Sequence, residues 1–177
     1  MRDLSLHLLD VMENSLRAKA TVISVTIAAD DAKDLLTITV EDNGTGMTVP
    51  ADVATDPFYT TKAGKRTGLG LALLKGAAER AGGGLALGRS PLGGARVEAT
   101  MVLSHVDRSP MGDLAATVAS VIVTNPDLDL RVRFRARHSD ETVRSADAAA
   151  ELPAPARGGL EMAQKMAEKV RKIRFDV

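Results

Sequence analysis

Three short stretches of this chain carry residue types that could do chemistry together. Asp42-Asn43-Gly44-Thr45-Gly46-Met47 follows directly on an alternating run. Glycines at alternate positions let main chain approach a flat ligand where a Cβ would collide. The acidic residue ahead of them can accept a hydrogen bond from an exocyclic amine such as that of adenine. Gly64-Lys65-Arg66-Thr67-Gly68-Leu69-Gly70-Leu71 opens a helical run. Free N–H groups at a helix N-terminus, reached across glycines, form an anion site, and phosphate is its usual occupant. The stretch is not a Walker A loop, because Gly-Lys-Ser/Thr is missing, nor a dinucleotide fingerprint, because no strand leads straight into it. On the first helical run, Asp10 and Asn14 stand one turn apart and share a face. A carboxylate and an amide oxygen so placed can hold a hard cation, or orient a water, beside a phosphate chain. Read singly, each stretch has a plain alternative: a turn leaving a strand, a flexible lead into a helix, a solvated helix face.

Periodicity shows which elements must position these residues. Leu4, Leu8, Val11, Met12 and Leu16 recur at helical spacing, so residues 3–18 read as an amphipathic helix with Asp3 as its cap. Residues 22–27 and 36–40 alternate with β-branched residues and read as a hairpin across a polar turn. A Gly-, Thr- and Pro-rich connection over 42–67 is long enough to suggest function. The run from Gly68 to Ala81 has helix spacing and stops at Gly82-Gly83-Gly84. Strands follow near 85–89 and 95–103 around the Pro91-Leu92-Gly93-Gly94 turn. This order predicts an α+β fold, a two-layer α/β sandwich with helices on one face of a mixed β-sheet. Residues 1–104 form the expected core, and 105–137 a helix–strand extension of it. A polar, Ala/Pro-rich linker is expected over 138–158, and an amphipathic helix over 159–177. Arg131, Arg133, Arg135 and Arg137 line one side of the late strand, which reads as a charged sheet edge.

Composition narrows the function classes. The chain has 177 residues, enough for one good core. Aromatic residues are 2%, which argues against a stacking surface for single-stranded nucleic acid. Lys+Arg and Asp+Glu are 23 each, so no global field draws DNA or an anionic membrane. The lack of cysteine excludes disulfides, thiolate metal sites and a cysteine nucleophile. No stretch approaches the length of a membrane span, and the N-terminus lacks the pattern of a secretory signal. The expected setting is the cytoplasm. His105 and His138 have no metal-ligand spacing, and His7 reads as a surface or capping histidine.

The order and spacing of the three stretches together resemble the GHKL superfamily, the Bergerat-fold ATPases that include type II topoisomerases, heat-shock chaperone ATPases, mismatch-repair ATPases and histidine kinases. Residues 10–21, Asp-Val-Met-Glu-Asn-Ser-Leu-Arg-Ala-Lys-Ala-Thr, resemble the N-box. Residues 42–47 resemble the first glycine box, Asp56-Pro57-Phe58-Tyr59-Thr60-Thr61-Lys62 the kinase F-box, and Gly68-Leu69-Gly70-Leu71 the second glycine box. The resemblance spans residues 1–103 and implies a histidine-kinase-like ATPase fold that binds ATP with Mg²⁺. It implies that Asn14 ligates Mg²⁺ through its amide oxygen and that Asp42 accepts from the adenine amine. Gly44, Gly46 and Met47 would lie at the nucleotide. Phe58, Thr61 and Lys62, with Lys65 or Arg66, would belong to a lid over the phosphates. Gly68, Leu69, Gly70 and Leu71 would donate main-chain N–H groups to them. Thr100 would support adenine through water, or serve as a plain strand threonine. Asp10 stands where the hydrolytic branches carry Glu, one methylene longer, and is the candidate catalytic residue. Glu13 points to another side of the helix.

The resemblance thus implies a stand-alone ATP-binding protein without dimerisation or phosphoacceptor helices, acting on an unidentified protein partner. Phosphotransfer to His or Ser of that partner, slow ATP hydrolysis and nucleotide-gated binding are the alternatives. The sequence leaves the oligomeric state open, a homodimer included.

Overall fold

The computed structural model describes residues 3–47, 51–55, 69–156, 159–173 and 175. In chain order its elements are α1 (Leu4–Arg17), β1 (Val22–Asp30), β2 (Leu35–Asp42), α2 (Ala51–Ala54), α3 (Leu69–Arg80), β3 (Gly84–Arg89) and β4 (Ala95–Val102). There follow α4 (Leu114–Thr124), β5 (Asp129–Ala136), β6 (Ser139–Arg144), α5 (Ser145–Ala150) and α6 (Leu160–Lys172). The strands make one six-stranded sheet in the order β3-β4-β2-β1-β5-β6. All pairs are antiparallel except β1 with β5, so the sheet is mixed, as expected.

Alternation decides which face is covered. Ile23, Val25 and Ile27 of β1, Leu36, Ile38 and Val40 of β2, Val97, Ala99 and Met101 of β4, and Leu130, Val132 and Phe134 of β5 are all buried. They share one face of the sheet by register. On that face α1 packs between α3 and α4, and α6 packs on α4. The opposite face carries Ser24, Thr26, Thr37, Thr39, Glu41, Arg96, Glu98 and the arginines of β5.

Helix α1 holds the chemistry-bearing residues, and both its ends are specified. Asp3 accepts from the Leu6 N–H at 3.0 Å, the expected cap. At the other end Lys19 takes a left-handed φ of 64°, and the Ala20 N–H returns to the Ser15 carbonyl at 3.1 Å. The segment after β4 crosses the N-terminus of α1, where Leu4 N–H donates to the Pro110 carbonyl at 2.9 Å and Ser5 N–H to Met111 at 2.8 Å. Helix α4 then leads into β5.

Three features differ from the expectations. The stretch read as a linker, 138–158, contains β6, α5 and a 3-10 turn at Ala154–Ala156, with Val143, Ser145 and Ala148 buried. Consequently β5 is not an edge. It lies between β1 and β6, and its arginines point off the uncovered face into ion pairs: Arg131 with Asp129, and Arg133 with Asp140 at 2.6 Å. His7 is likewise buried rather than a surface residue.

Candidate nucleotide site

Asp42 ends β2 on the helix-covered face and is only 3% exposed. A carboxylate there must be satisfied by hydrogen bonds. Its Oδ1 accepts from the Gly44 N–H at 2.9 Å and the Ala95 N–H at 3.1 Å. Its Oδ2 accepts from the Ser15 hydroxyl on α1 at 2.6 Å. A carboxylate offers about four acceptor directions, and among the described residues Ser15 is the donor to Oδ2, which leaves that oxygen capacity for a further donor.

The surrounding glycines make this arrangement possible. A Cβ on Gly94 would stand 2.1 Å from Asp42 Oδ1 and 2.6 Å from the Gly44 nitrogen. A Cβ on Gly44 would stand 2.6 Å from the Ala18 carbonyl oxygen, so that glycine lets the turn pack on the end of α1. Gly46 takes φ +76°, the left-handed conformation that favours glycine. Asn43 fastens the turn to β1: its Oδ1 accepts from the Thr21 and Val22 N–H groups, each at 2.9 Å. A cleft of about 350 Å³ flanks the turn, with Met47 and Arg89 among its lining residues.

The other two stretches meet on α1. A Cβ on Gly70 would lie 3.0 Å from the Asp10 Cβ and 3.5 Å from its Oδ2, so the first turn of α3 abuts the Asp10 carboxylate. One turn further along α1, half-buried Asn14 accepts through Oδ1 from the Arg17 guanidinium. Asn14 is the neighbour of Ser15, which holds Asp42. The Asp42 carboxylate, the Asn14 amide and the N-terminus of α3 are therefore arranged around one helix. Orphan N–H groups at such a helix start suit phosphate. Among the described residues no group of three or more His, Asp or Glu side chains could hold a metal ion. Neutral and anionic oxygens on α1 fit Mg²⁺ shared with a polyphosphate, the manner in which this ion is usually held.

Leu71 is half-buried in α3 and packs against the core. Phe58, Thr61, Lys62, Lys65, Arg66 and Gly68 lie outside the described residues. Thr100 takes the plain strand position of its two expected readings: it pairs with Thr37 on the uncovered face, opposite to Asp42. Its hydroxyl accepts from the Gly84 N–H at 3.2 Å, a strand-fastening role. Ser15, Arg17, Asn43 and Gly94 were not anticipated as contributors. The alternation of β4, with Val97, Ala99 and Met101 inward, was the signal that places Thr100 outward.

A family model described as histidine kinase-, DNA gyrase B- and HSP90-like ATPase matches residues 2–105. The chain is 39% identical over 95 residues to the sensor histidine kinase CpxA of Escherichia coli K12, covering 50% of this chain and 20% of the relative. The sensor protein CpxA of Escherichia coli O157:H7 matches to the same extent. The chain thus spans about one fifth of the length of these curated relatives. Among solved structures, the ATP binding domain of PrrB from Mycobacterium tuberculosis is 29% identical, with TM-score 0.42 over 55% of this chain and 66% of that one. The N-terminal domain of a DNA repair protein is 12% identical, with TM-score 0.49 over 81% and 52%.

Proposed function

The chain belongs to the histidine kinase-, DNA gyrase B- and HSP90-like ATPase family, and from that premise we propose that it binds Mg-ATP and passes the γ-phosphate to a partner protein. Its ATP-binding domain is related to those of histidine kinases. The observation that carries the proposal is the buried Asp42 carboxylate, tied by Ser15 to the helix that also carries Asn14 and sets Asp10 against the first turn of α3.

Each residue then has a task. Asp42 accepts from the adenine amine through Oδ2, and Gly46 keeps main chain close to the ring. Asn14 offers its amide oxygen to Mg²⁺, which when bound neutralises phosphate charge. Gly70 and its neighbours present N–H groups to the phosphates. A nucleophile on the partner attacks the γ-phosphorus, its bond to the bridging oxygen breaks, and ADP leaves. Asp10 takes the proton if that nucleophile is a hydroxyl.

Hydrolysis by water is the rival outcome, and the shorter reach of Asp10 weighs against it. The test is incubation of the protein with γ-labelled ATP, alone and with cell extract. Acid-labile, base-stable label on a protein identifies a histidine acceptor, and acid-stable label a serine. Free phosphate released without extract, and lost in Asp10→Asn, would establish an ATPase instead. No saturable binding of a non-hydrolysable ATP analogue would refute the whole reading.

A further inference from the structure

The sheet has two outer strands, β3 and β6, and they are finished differently. Outer strands present unpaired N–H and C=O groups that a further strand can join, and charged side chains are a common guard against this. Strand β6 carries Asp140, Glu141 and Arg144, with Asp140 held in an ion pair by Arg133. Strand β3 reads Gly-Leu-Ala-Leu-Gly-Arg, so it has no charge before its last residue. Neither proline nor bulge interrupts its register with β4.

The ladder shows which groups of β3 are free. Gly84 N–H donates to the Thr100 hydroxyl at 3.2 Å and Ser90 N–H to the Gly94 carbonyl at 2.9 Å, so both turn toward the β4 side. Alternate residues of an antiparallel pair exchange its hydrogen bonds. Ala86 and Gly88 therefore face β4 as well, and Leu85, Leu87 and Arg89 turn their N–H and C=O groups outward. The Leu85 and Leu87 side chains pack against the core, which keeps the strand in place. Helix α2 comes near β3, and no main-chain hydrogen bond joins the two among the described residues. Arg89 is exposed, and its guanidinium has no hydrogen-bond or ion-pair partner among the described residues. With Gly46 and Met47 it lines the cleft beside the glycine turn. The outward strip thus ends next to the candidate nucleotide site, on an unanswered cation.

We propose that the outer edge of β3 is the docking strip for an extended segment of the partner protein, which joins the sheet as a further strand and sets an acidic residue against Arg89. The proposal rests on the reading of the chain as a phosphotransferase that acts on a protein. In this mode main-chain pairing supplies affinity, and side chains supply choice. A second copy of β3 fits less well. Turned about Leu87 it sets Arg89 against Leu85, and turned about Arg89 it sets two guanidiniums together. An acidic segment answers the charge, and its chain beyond Arg89 leads into the cleft.

The experiment is selection of displayed random octapeptides on the immobilised full chain, then titration of the enriched sequences as free peptides. Alternating β-branched or aromatic residues around one fixed Asp or Glu are expected. N-methylation of the peptide residues that face β3 should weaken binding at least about tenfold, and methylation of the residues between them by less than about twofold. Arg89→Glu should weaken the acidic peptide about three- to fivefold and select Lys or Arg at its place. Leu87→Pro removes an outward N–H and should lower affinity in the same way, while the methylated peptides pose that test without altering the fold. Enrichment of no peptide, equal loss from both methylation patterns, or an unchanged charge preference in Arg89→Glu would overturn the proposal. Self-association of wild type that Leu87→Pro abolishes would also overturn it, by giving the edge to a second copy. Peptide binding is read without nucleotide, so its failure is distinct from a failure to bind the ATP analogue, which would strike the nucleotide reading instead.

Discussion

Asp42→Asn separates folding from recognition, because the hydrogen bonds around Asp42 dictate how an amide must sit. Oδ1 receives two main-chain N–H groups, from Gly44 and Ala95, so the amide oxygen has to stay there. The NH₂ group then takes the place of Oδ2, facing Ser15. The Ser15 hydroxyl can rotate and accept, so all protein partners remain satisfied. What is lost is the charge assistance of these bonds, about 2 kcal/mol in folding stability. Binding suffers differently. The adenine amine would meet an NH₂ group, losing its hydrogen bond to a charged acceptor and leaving buried donors unpaired, together about 3–4 kcal/mol. At 1.36 kcal/mol per tenfold, ATP affinity should fall by about 10²–10³. Hypoxanthine presents an acceptor where adenine has the amine, so the variant should prefer the inosine triphosphate analogue. Titration calorimetry with both analogues, alongside thermal unfolding, measures the two effects. ATP affinity within about threefold of wild type in a folded variant would refute the assignment of Asp42.

Three further outcomes follow from the same geometry. Gly94→Ala would drive a Cβ to 2.1 Å from Asp42 Oδ1 with main chain on its other sides, so thermal unfolding should reveal a loss of about 2–4 kcal/mol with ATP-analogue affinity falling as well. In Gly70→Ala the nearest atoms to the new Cβ belong to the Asp10 side chain, at 3.0 Å, and the change gains up to about 1 kcal/mol of helix propensity; unfolding should show little loss while label transfer from ATP falls. Asp34 is held below the ordinary carboxylate range, first by the Ser104 hydroxyl and then by the Ser104 N–H. Its stabilisation is therefore full above the ordinary value of 3.8 and lost as pH falls through the lower folded value, so the melting-temperature gap between wild type and Asp34→Ala should close on acidification.

The elements of the ATP-binding core were legible because their buried residues recur at clear periods: Leu4, Leu8, Val11 and Met12 on α1, and alternate residues on β1, β2 and β4. The end of the sheet was not. Strand β6 reads Ser-Asp-Glu-Thr-Val-Arg and buries only Val143, because an edge strand needs few apolar residues, and the alanines of α5 resemble linker composition. Missing β6 made β5 look like an edge and its arginines like edge guards. Within the candidate site, residue types singled out Asp42, Asn14 and Gly70 but not the side chains and main chain that surround them. Ser15 and Ala95 reach Asp42 from 27 and 53 residues away, a pairing that only the folded sheet creates.

The arrangement also shows how one helix could serve base, metal and phosphate together under the proposed reading. Successive residues of an α-helix are separated by about 100°. The buried stripe of α1 fixes its rotation against the sheet. With that rotation set, Ser15 must point inward at the end of β2, and its neighbour Asn14 must stand at the rim with Asp10 one turn behind. The axial position is fixed independently, by the Asp3 cap and the Pro110–Met111 strap at one end and by the packing of Gly44 on Ala18 at the other. Any change that slides or rolls α1 would therefore displace Ser15, the partner of Asp42, and the proposed metal ligand Asn14 in step. The residues after β4, which supply both the strap and α4, thus help to set the position of the helix that carries Asp10, Asn14 and Ser15.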